Sequence, residues 1–399
     1  MKKFFLILLL IFPAESFCQD SYFQGLWPNL VNKEYNVDEP MFSNRIVSDV
    51  NLDHRYNSTN RKDEYNDTAI VARLSSKIKL NKNFSLNGRF SLNRISTADE
   101  DGRRSASSDG GGDRAFENSG IAIRELNLSY AKKDVALVAG KFTPDFGTAW
   151  RWGRGIWSND LANNYRQGEK LGLGGIYKMG NKQKTGRYNF GFSAFTNDRK
   201  NLDNSLINKR DSNHKYDAKP GDTRSLESYV ASLDINFDFK NNEELSYHFA
   251  YLNLAVNERS SQVTPTKIDD QKGFVAGGKY RYPINDNFLF DGLLEYVDMK
   301  NVDGDSDINE KYFNASFVGE IYQNWNTTLA FANRKNVEID QNGFDQNLSE
   351  ISFGYKLNKN RFFDQLLLQV GYKNLRTNYK TSLDVQNSYG VLARYIKSF

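Results

Sequence analysis

The C-terminal stretch Asn387-Ser388-Tyr389-Gly390-Val391-Leu392-Ala393-Arg394-Tyr395-Ile396-Lys397-Ser398-Phe399 decides the fold. Its residues alternate in fixed phase. Tyr389, Val391, Ala393, Tyr395, Lys397 and Phe399 share one side, and Ser388, Gly390, Leu392, Arg394, Ile396 and Ser398 the other. Successive side chains of a strand point to opposite faces, so this period of two predicts a β-strand with one apolar and one mixed face.

The same period recurs through most of the chain. It predicts sixteen strands, at 42–54, 68–80, 84–95, 120–131, 135–142, 169–178, 187–196, 226–239, 245–256, 273–282, 288–299, 311–321, 325–333, 348–357, 365–374 and 387–399. Apolar sets such as Phe84, Leu86, Gly88, Phe90 and Leu92, or Tyr229, Ala231, Leu233, Ile235, Phe237 and Phe239, mark a face turned to lipid. The mean hydropathy of −0.67 taken alone points to a soluble protein. A closed barrel with a wet interior reconciles that value with the apolar strand faces, because only every second strand residue meets lipid. Closure also pairs every backbone N–H and C=O in the absence of water. The whole chain has only 7 prolines, as long strands require, against 28 Phe and 22 Tyr.

Connections alternate in length. Short turns are expected at Asn81–Asn83, Lys132–Asp134, Lys240–Glu244, Pro283–Asn287 and Tyr322–Asn324. Long polar loops are expected at 55–67, 96–119, 143–168, 197–225, 257–272, 300–310, 334–347 and 375–386. Transmembrane barrels place short turns in the periplasm and long loops outside. Sixteen strands then leave both termini periplasmic, with an aromatic girdle of Tyr130, Tyr177, Tyr188, Phe239, Tyr282, Phe288, Trp325 and Tyr395 at the turn side.

Residues 1–18 read as a secretory signal. Lys2 and Lys3 precede an apolar run, Phe4 to Phe12, and Ser16 and Cys18 form a small-x-small cleavage pattern. A lipoprotein cysteine is the alternative reading of Cys18, and Phe17 before it argues against that. Cleavage there would leave no cysteine in the mature chain for a disulfide. Residues 19–41, with Trp27, Pro28 and Pro40, form an irregular periplasmic segment too short for the plug of an energy-coupled transporter, and the barrel occupies 42–399. The net charge of +4 is too balanced to argue for nucleic acid.

A terminal aromatic that closes an alternating strand resembles the last strand of bacterial outer-membrane barrels, where the ending is the signal to the barrel-assembly machinery. A second resemblance lies at Gly140-Lys141-Phe142-Thr143-Pro144-Asp145-Phe146-Gly147, followed by a loop and a strand opening on Glu169 with alternating Gly172 and Gly174. This is similar to a stretch of Gram-negative porins, including phosphate-selective-porin-like proteins. It covers roughly a tenth of the chain. Trp150-Arg151-Trp152 stands where many such porins carry an acidic residue. The resemblance implies an all-β transmembrane barrel in the outer membrane, among lipid and lipopolysaccharide. It further implies a passive diffusion channel for small hydrophilic solutes, and a homotrimer whose third extracellular loop folds into the lumen.

That third loop is 143–168. Its Trp150, Trp152 and Trp157 have no reason to sit on an exposed tip. With Asp145, Arg151, Arg154, Asp160 and Arg166 they form the expected pore constriction. Inward phases place Arg73, Lys77, Lys79, Arg89 and Lys141 on one wall, and Asp234, Asp238, Asp291, Glu295 and Glu320 on the opposite wall. Such opposed ladders would set a transverse field across a low-dielectric lumen. Three Arg against two Asp in the loop favour anions. The rival is a sugar path over the three indoles.

Two other classes compete: a barrel binding surface polysaccharide, and an outer-membrane enzyme. For catalysis, Ser246 and His248 share a face, but no orienting acid is evident. Asp303, Asp305, Asp307 and Glu310 resemble the start of a calcium loop, but Ile308 and Asn314 replace its Gly and its closing Glu. Asp109–Asp113, with three glycines between, reads as an exposed loop, and Gly172–Gly175 as small residues within a strand rather than a phosphate cradle. No motif calls for a cofactor or metal. Deleting Phe399 should impair assembly, read as loss of the heat-modifiable folded band from the membrane fraction; wild-type levels of folded, membrane-inserted protein in the deletion would count against this ending as the signal.

Overall fold

The computed structural model describes residues 41–59, 64–94, 113–116, 119–198, 202, 219–256, 268–338, 343–358 and 362–399. Residues 1–40, which include the expected signal and most of the segment after it, lie outside these, as does most of Asp109–Asp113.

Sixteen antiparallel strands close into one ring: β1 Phe42–Tyr56, β2 Asn66–Lys79, β3 Phe84–Arg94, β4 Ser119–Lys132, β5 Val135–Phe142, β6 Lys170–Asn181, β7 Gly186–Asn197 and β8 Ser228–Asp238 are followed by β9 Glu244–Leu254, β10 Gln271–Asn285, β11 Phe288–Lys300, β12 Ile308–Ile321, β13 Trp325–Glu338, β14 Phe344–Asn358, β15 Gln365–Tyr379 and β16 Leu383–Ser398. Each strand pairs with its sequence neighbours, and β16 returns to β1 from Arg45↔Ser398 to Tyr56↔Asn387. At that seam Phe399 N–H donates to Asn44 O at 2.9 Å, and Asn44 N–H donates to Phe399 O at 2.7 Å. The last residue therefore closes the ring. A two-residue strand, Arg114–Ala115, runs parallel beside the start of β2.

All sixteen expected strands are present. The largest departures lie at the long-loop end, where β12 starts earlier, β13 and β15 end later, and β14 and β16 start earlier than the alternation indicated. The added residues, such as 334–338 and 375–379, are mostly polar, with Val337, Leu375 and Tyr379 the exceptions. The hydrogen-bonded ladder outlasts the apolar pattern, because an outward residue beyond the apolar belt has no reason to be apolar. The connection between β15 and β16 consequently shrinks to 380–382.

The outward phase is apolar around the ring. Leu173, Phe192, Phe274, Phe317, Phe353 and Val370 are all exposed there. A contiguous apolar surface of this extent does not face water in soluble monomers. At the short-turn end Trp325 packs on Tyr355 with ring centroids 4.6 Å apart, and Phe84 on Tyr130 at 5.0 Å. Tyr177, Phe239, Tyr282 and Phe288 are exposed in the same girdle. Tight turns there use left-handed backbone, with Tyr322 at φ 51° and Gln323 at φ 60°, which matches the twist of the flanking strands.

One irregularity bears on the interior. Arg89 opposes Glu125 while Phe90 opposes Ile123, so Arg124 is the extra residue of a β-bulge in β4. Lys141 follows Gly140, whose φ of +123° breaks the alternation of β5, and the lysine is fully buried.

Candidate functional site

Between β5 and β6 the chain runs through 143–168, and little of it reaches solvent. Thr143, Asp145, Phe146, Thr148, Ala149, Trp150, Arg151, Trp157, Leu161, Ala162 and Tyr165 are buried. The segment forms a one-turn helix, α1, Ala149–Trp152, and a 3-10 turn, Ala162–Asn164. Such short pieces leave most backbone N–H groups without an internal partner.

Two inward carboxylates supply the missing acceptors. Glu295 of β11 accepts from Thr148 N–H at 2.5 Å, Thr148 Oγ1 at 2.6 Å and Ala149 N–H at 3.1 Å, and also from the Tyr165 hydroxyl. Glu350 of β14 accepts from Ile156 N–H at 2.6 Å and Trp157 N–H at 2.9 Å. Both carboxylates are at most 4 % exposed. Burial beside Glu295 raises the Tyr165 phenol well above its ordinary value, so it stays a proton donor. Glycines admit the clamps. A Cβ on Gly155 (φ +119°) would lie 2.5 Å from Glu350 Oε1, and one on Gly147 (φ +76°) 2.6 Å from the Tyr165 ring.

Apolar packing completes the anchorage. Phe146, Ala149, Trp150, Ala162 and Tyr165 form one cluster with Phe195, Val230, Ala250, Leu252, Leu254, Val275, Leu293, Val297, Met299 and Tyr312 on β7 to β12. Further along, Trp157 and Leu161 pack with Ala332 and Leu348, and Ile156 and Leu375 lie against them. Trp157 also lies over Gly390 of β16, where a Cβ would come within 2.3 Å of the indole. Sequence reasoning missed this apolar half of the inward face. The signal was present in β11, where Leu293, Val297 and Met299 are apolar on the inward phase as well as Leu294 and Tyr296 on the outward one.

The expected constriction residues divide in two. Asp145, Trp150, Arg151 and Trp157 are buried rather than water-facing. Arg151 pairs with Asp145 at 2.6 Å and lies beside the Trp150 and Trp152 rings, 5.6 and 5.2 Å from their centroids. Burial pushes the Asp145 carboxyl up, but the Arg151 guanidinium, His248 and a hydrogen bond with Asp234 together hold the pKa below the ordinary value. The apolar faces of Trp150 and Trp157 are thus spent on packing, which corrects the expectation of an indole path for sugars at these two positions.

The rest are less buried. Arg154 binds Glu320 at 2.5 Å and Asp291 at 3.2 Å. Asp160 lies 3.5 Å from Lys373. Arg166 stacks over Trp150 at 4.7 Å, and burial with the charges of Arg89 and Arg124 lowers its pKa to about 10. Trp152 is only partly buried. A cavity of 610 Å³ opens at the short-turn end among Arg281, Asn287, Glu320 and Gln323. A second space, of 20 Å³, lies among Gly153, Arg154, Glu320, Lys356, Gln369 and Arg394. Glu320 borders both.

The two charged walls are not unpaired ladders. Arg73 and Arg394 share Asp49 at 3.6 and 2.7 Å, and Arg89 pairs with Glu125 at 2.7 Å. Lys141 pairs with Glu169 at 2.9 Å and Asp198 at 3.1 Å. On the other side Asp291 meets Arg154 and Lys279, Glu320 meets Arg154 and Lys356, and Asp234 meets His248. Local pairing prevails because an unpaired buried charge costs several kcal/mol, which a neighbouring counter-charge removes. Lys77 keeps the inward phase of β2 with Arg73. An orienting acid, not expected from the sequence, does stand beside His248, with Asp234 2.8 Å from Nδ1, but Ser246 Oγ donates to Asn236 at 2.9 Å rather than to the imidazole. Asp303, Asp305 and Asp307 are exposed at the tip between β11 and β12.

No family model matches the chain, and no curated protein matches it in sequence. Solved structures do. The barrel superposes on a loop-L8 deletion mutant of OmpT, an outer membrane protein of Vibrio cholerae, with a TM-score of 0.51 at 12% identity, covering 90% of this chain and 100% of that one. It superposes equally on DcaP, an outer membrane channel of Acinetobacter baumannii, with a TM-score of 0.51 at 13% identity, covering 89% of this chain and 96% of that one. The chain has the fold of an outer-membrane barrel. At such identities the likeness extends to architecture, while the clamps described above belong to this chain's own residues.

Glu350→Ala should free the middle of 143–168 while the ring stays closed. Two buried N–H groups would lose their acceptor, at about 1–3 kcal/mol each. Limited proteolysis should then cut between Gly153 and Asn159 in the variant and not in the wild type; equal protection of both would show that the carboxylate does not hold the segment.

Proposed function

We propose that this chain is an outer-membrane porin, a passive water-filled channel for small hydrophilic solutes, in which 143–168 folds into the lumen from the extracellular side and sets the width of the path. The observation that carries the reading is the pair of clamps. A segment hung from β5 and β6 is held by Glu295 and Glu350 on far strands of the same ring. A loop so held divides the interior, and solutes pass where it leaves polar groups facing space. The apolar exterior and girdle support membrane insertion, and Phe399 at the closing seam suits a role in assembly. By the resemblance noted above we extend the proposal to a homotrimer with both termini in the periplasm.

Within that reading the path prefers anions. Arg73, Arg89, Arg166 and Arg394 stand within electrostatic reach of one another, and Asp49 and Glu125 are the carboxylates paired with three of them. Arg166 presents its plane to the Trp150 indole, with Glu125 and Glu169 within electrostatic reach. Guanidinium groups bind carboxylate and phosphate oxygens in bidentate fashion, and a surplus of them in a confined passage raises the local anion concentration. The Arg154–Glu320 pair, whose Glu320 borders both spaces, is the narrow point on the opposite flank. Burial of Trp150 and Trp157 weighs against the sugar path, and the bond of Ser246 to Asn236 rather than to His248 weighs against the enzyme.

Purified protein in a planar bilayer should give stepwise ohmic conductance. In a salt gradient its reversal potential should indicate anion preference, and Arg166→Ala together with Arg89→Ala should move it toward cations. Arg154→Ala should raise conductance by opening the narrow point. Closed membranes over repeated insertions would refute the channel, and an unchanged reversal potential in the double variant would refute this placement of the selective site.

A further inference from the structure

We infer a divalent transition-metal site where 143–168 meets β8 and β9, formed by Asp145, Asp234 and His248. The three side chains come from three separate elements, and each is at most 5 % exposed. One donor atom from each lies within 4.8 Å of the other two, the one such grouping of His, Cys, Asp and Glu among the described residues. Ligands around four-coordinate zinc stand about 3.4 Å apart, so an ion would need only a small inward shift.

The donor atoms are unequally used. His248 Nδ1 faces Asp234 Oδ1 at 2.8 Å, and Nε2 has no partner. Asp145 Oδ1 accepts from Arg151, and Oδ2 has no partner. Nδ1 is the nitrogen on the Asp234 side and would be the donor, while Nε2 points away from it; buried polar atoms are nearly always satisfied, so the orphaned Asp145 Oδ2 requires an explanation. One imidazole with two carboxylates suits Zn²⁺, Co²⁺ or Ni²⁺ better than Ca²⁺ or Mg²⁺, which take oxygen donors alone.

The charges agree. Two carboxylates face one guanidinium, that of Arg151, which leaves one negative charge to be balanced at the imidazole. A divalent ion supplies the missing positive charge and staples the start of 143–168 to the barrel wall. A proton on His248 would supply it too, and the experiment separates these occupants. The inference rests on this geometry alone and holds whatever solute the barrel passes.

The test uses the full, untagged barrel in detergent, stripped with chelator and titrated with Co²⁺ alone, with visible absorption reporting coordination and calorimetry with Zn²⁺ giving stoichiometry. We expect one ion per chain. Affinity should fall at least about tenfold in Asp145→Asn and binding should vanish in His248→Ala, while His54→Ala and His214→Ala keep it. Folding of each variant is checked by its heat-modifiable migration. The wild-type titration decides even where a variant fails to assemble: no Co²⁺ bands and no heat with Zn²⁺ would overturn the site and leave the proton as its occupant. Equal binding by wild type and folded His248→Ala would overturn it as well.

Discussion

The interior of this barrel depends on two buried carboxylates accepting backbone N–H groups. Glu295 and Glu350 project from β11 and β14 into a region where an unpaired anion is costly. The segment 143–168 presents backbone amides that have no helical or sheet partner. Each side satisfies the other, and the charge-assisted bonds are stronger than neutral ones. The ring itself needs no such help, because its ladder is continuous through the β1–β16 seam. What the clamps hold is the position of everything hung between β5 and β6. The indoles, the Arg151–Asp145 pair and the Arg154 bridge all take their places from it.

The rest of the interior follows from the same avoidance of unpaired polar groups. One side of the inward face, β7 to β12, is largely apolar and receives Phe146, Trp150 and Tyr165. The remainder carries charge, but in local pairs. The field inside is therefore set by small imbalances at particular points rather than by opposed walls. Arg166 is one such point: it comes from the segment, lies over Trp150, and sits near Arg73 and Arg89, whose own acids are already engaged. The Asp145–Asp234–His248 cluster is the converse, a place where acid is in excess.

The number of strands, their phase and the alternation of short and long connections were legible in the sequence alone. The physical reason is that a strand with one face on a core and one on an apolar exterior repeats every two residues, and that repeat is local. The residues of 143–168 also stood out, since a loop with three tryptophans needs somewhere to bury them. Strand ends at the long loops were less legible, because the apolar belt stops before the hydrogen bonds do, as at Arg334–Glu338.

Which groups meet was decided only by the tertiary structure. Glu295 and Glu350 read as members of a lumen surface, and their role as acceptors for Thr148, Ala149, Ile156 and Trp157 depends on strands roughly 150 to 200 residues distant along the chain from the segment. Asp145 and Arg151 read as water-lining charges, and the folded segment makes them a buried pair. Periodicity records which way a side chain points. It carries no information on what stands opposite across a ring, because that distance is fixed by strand number and by how a long connection folds back.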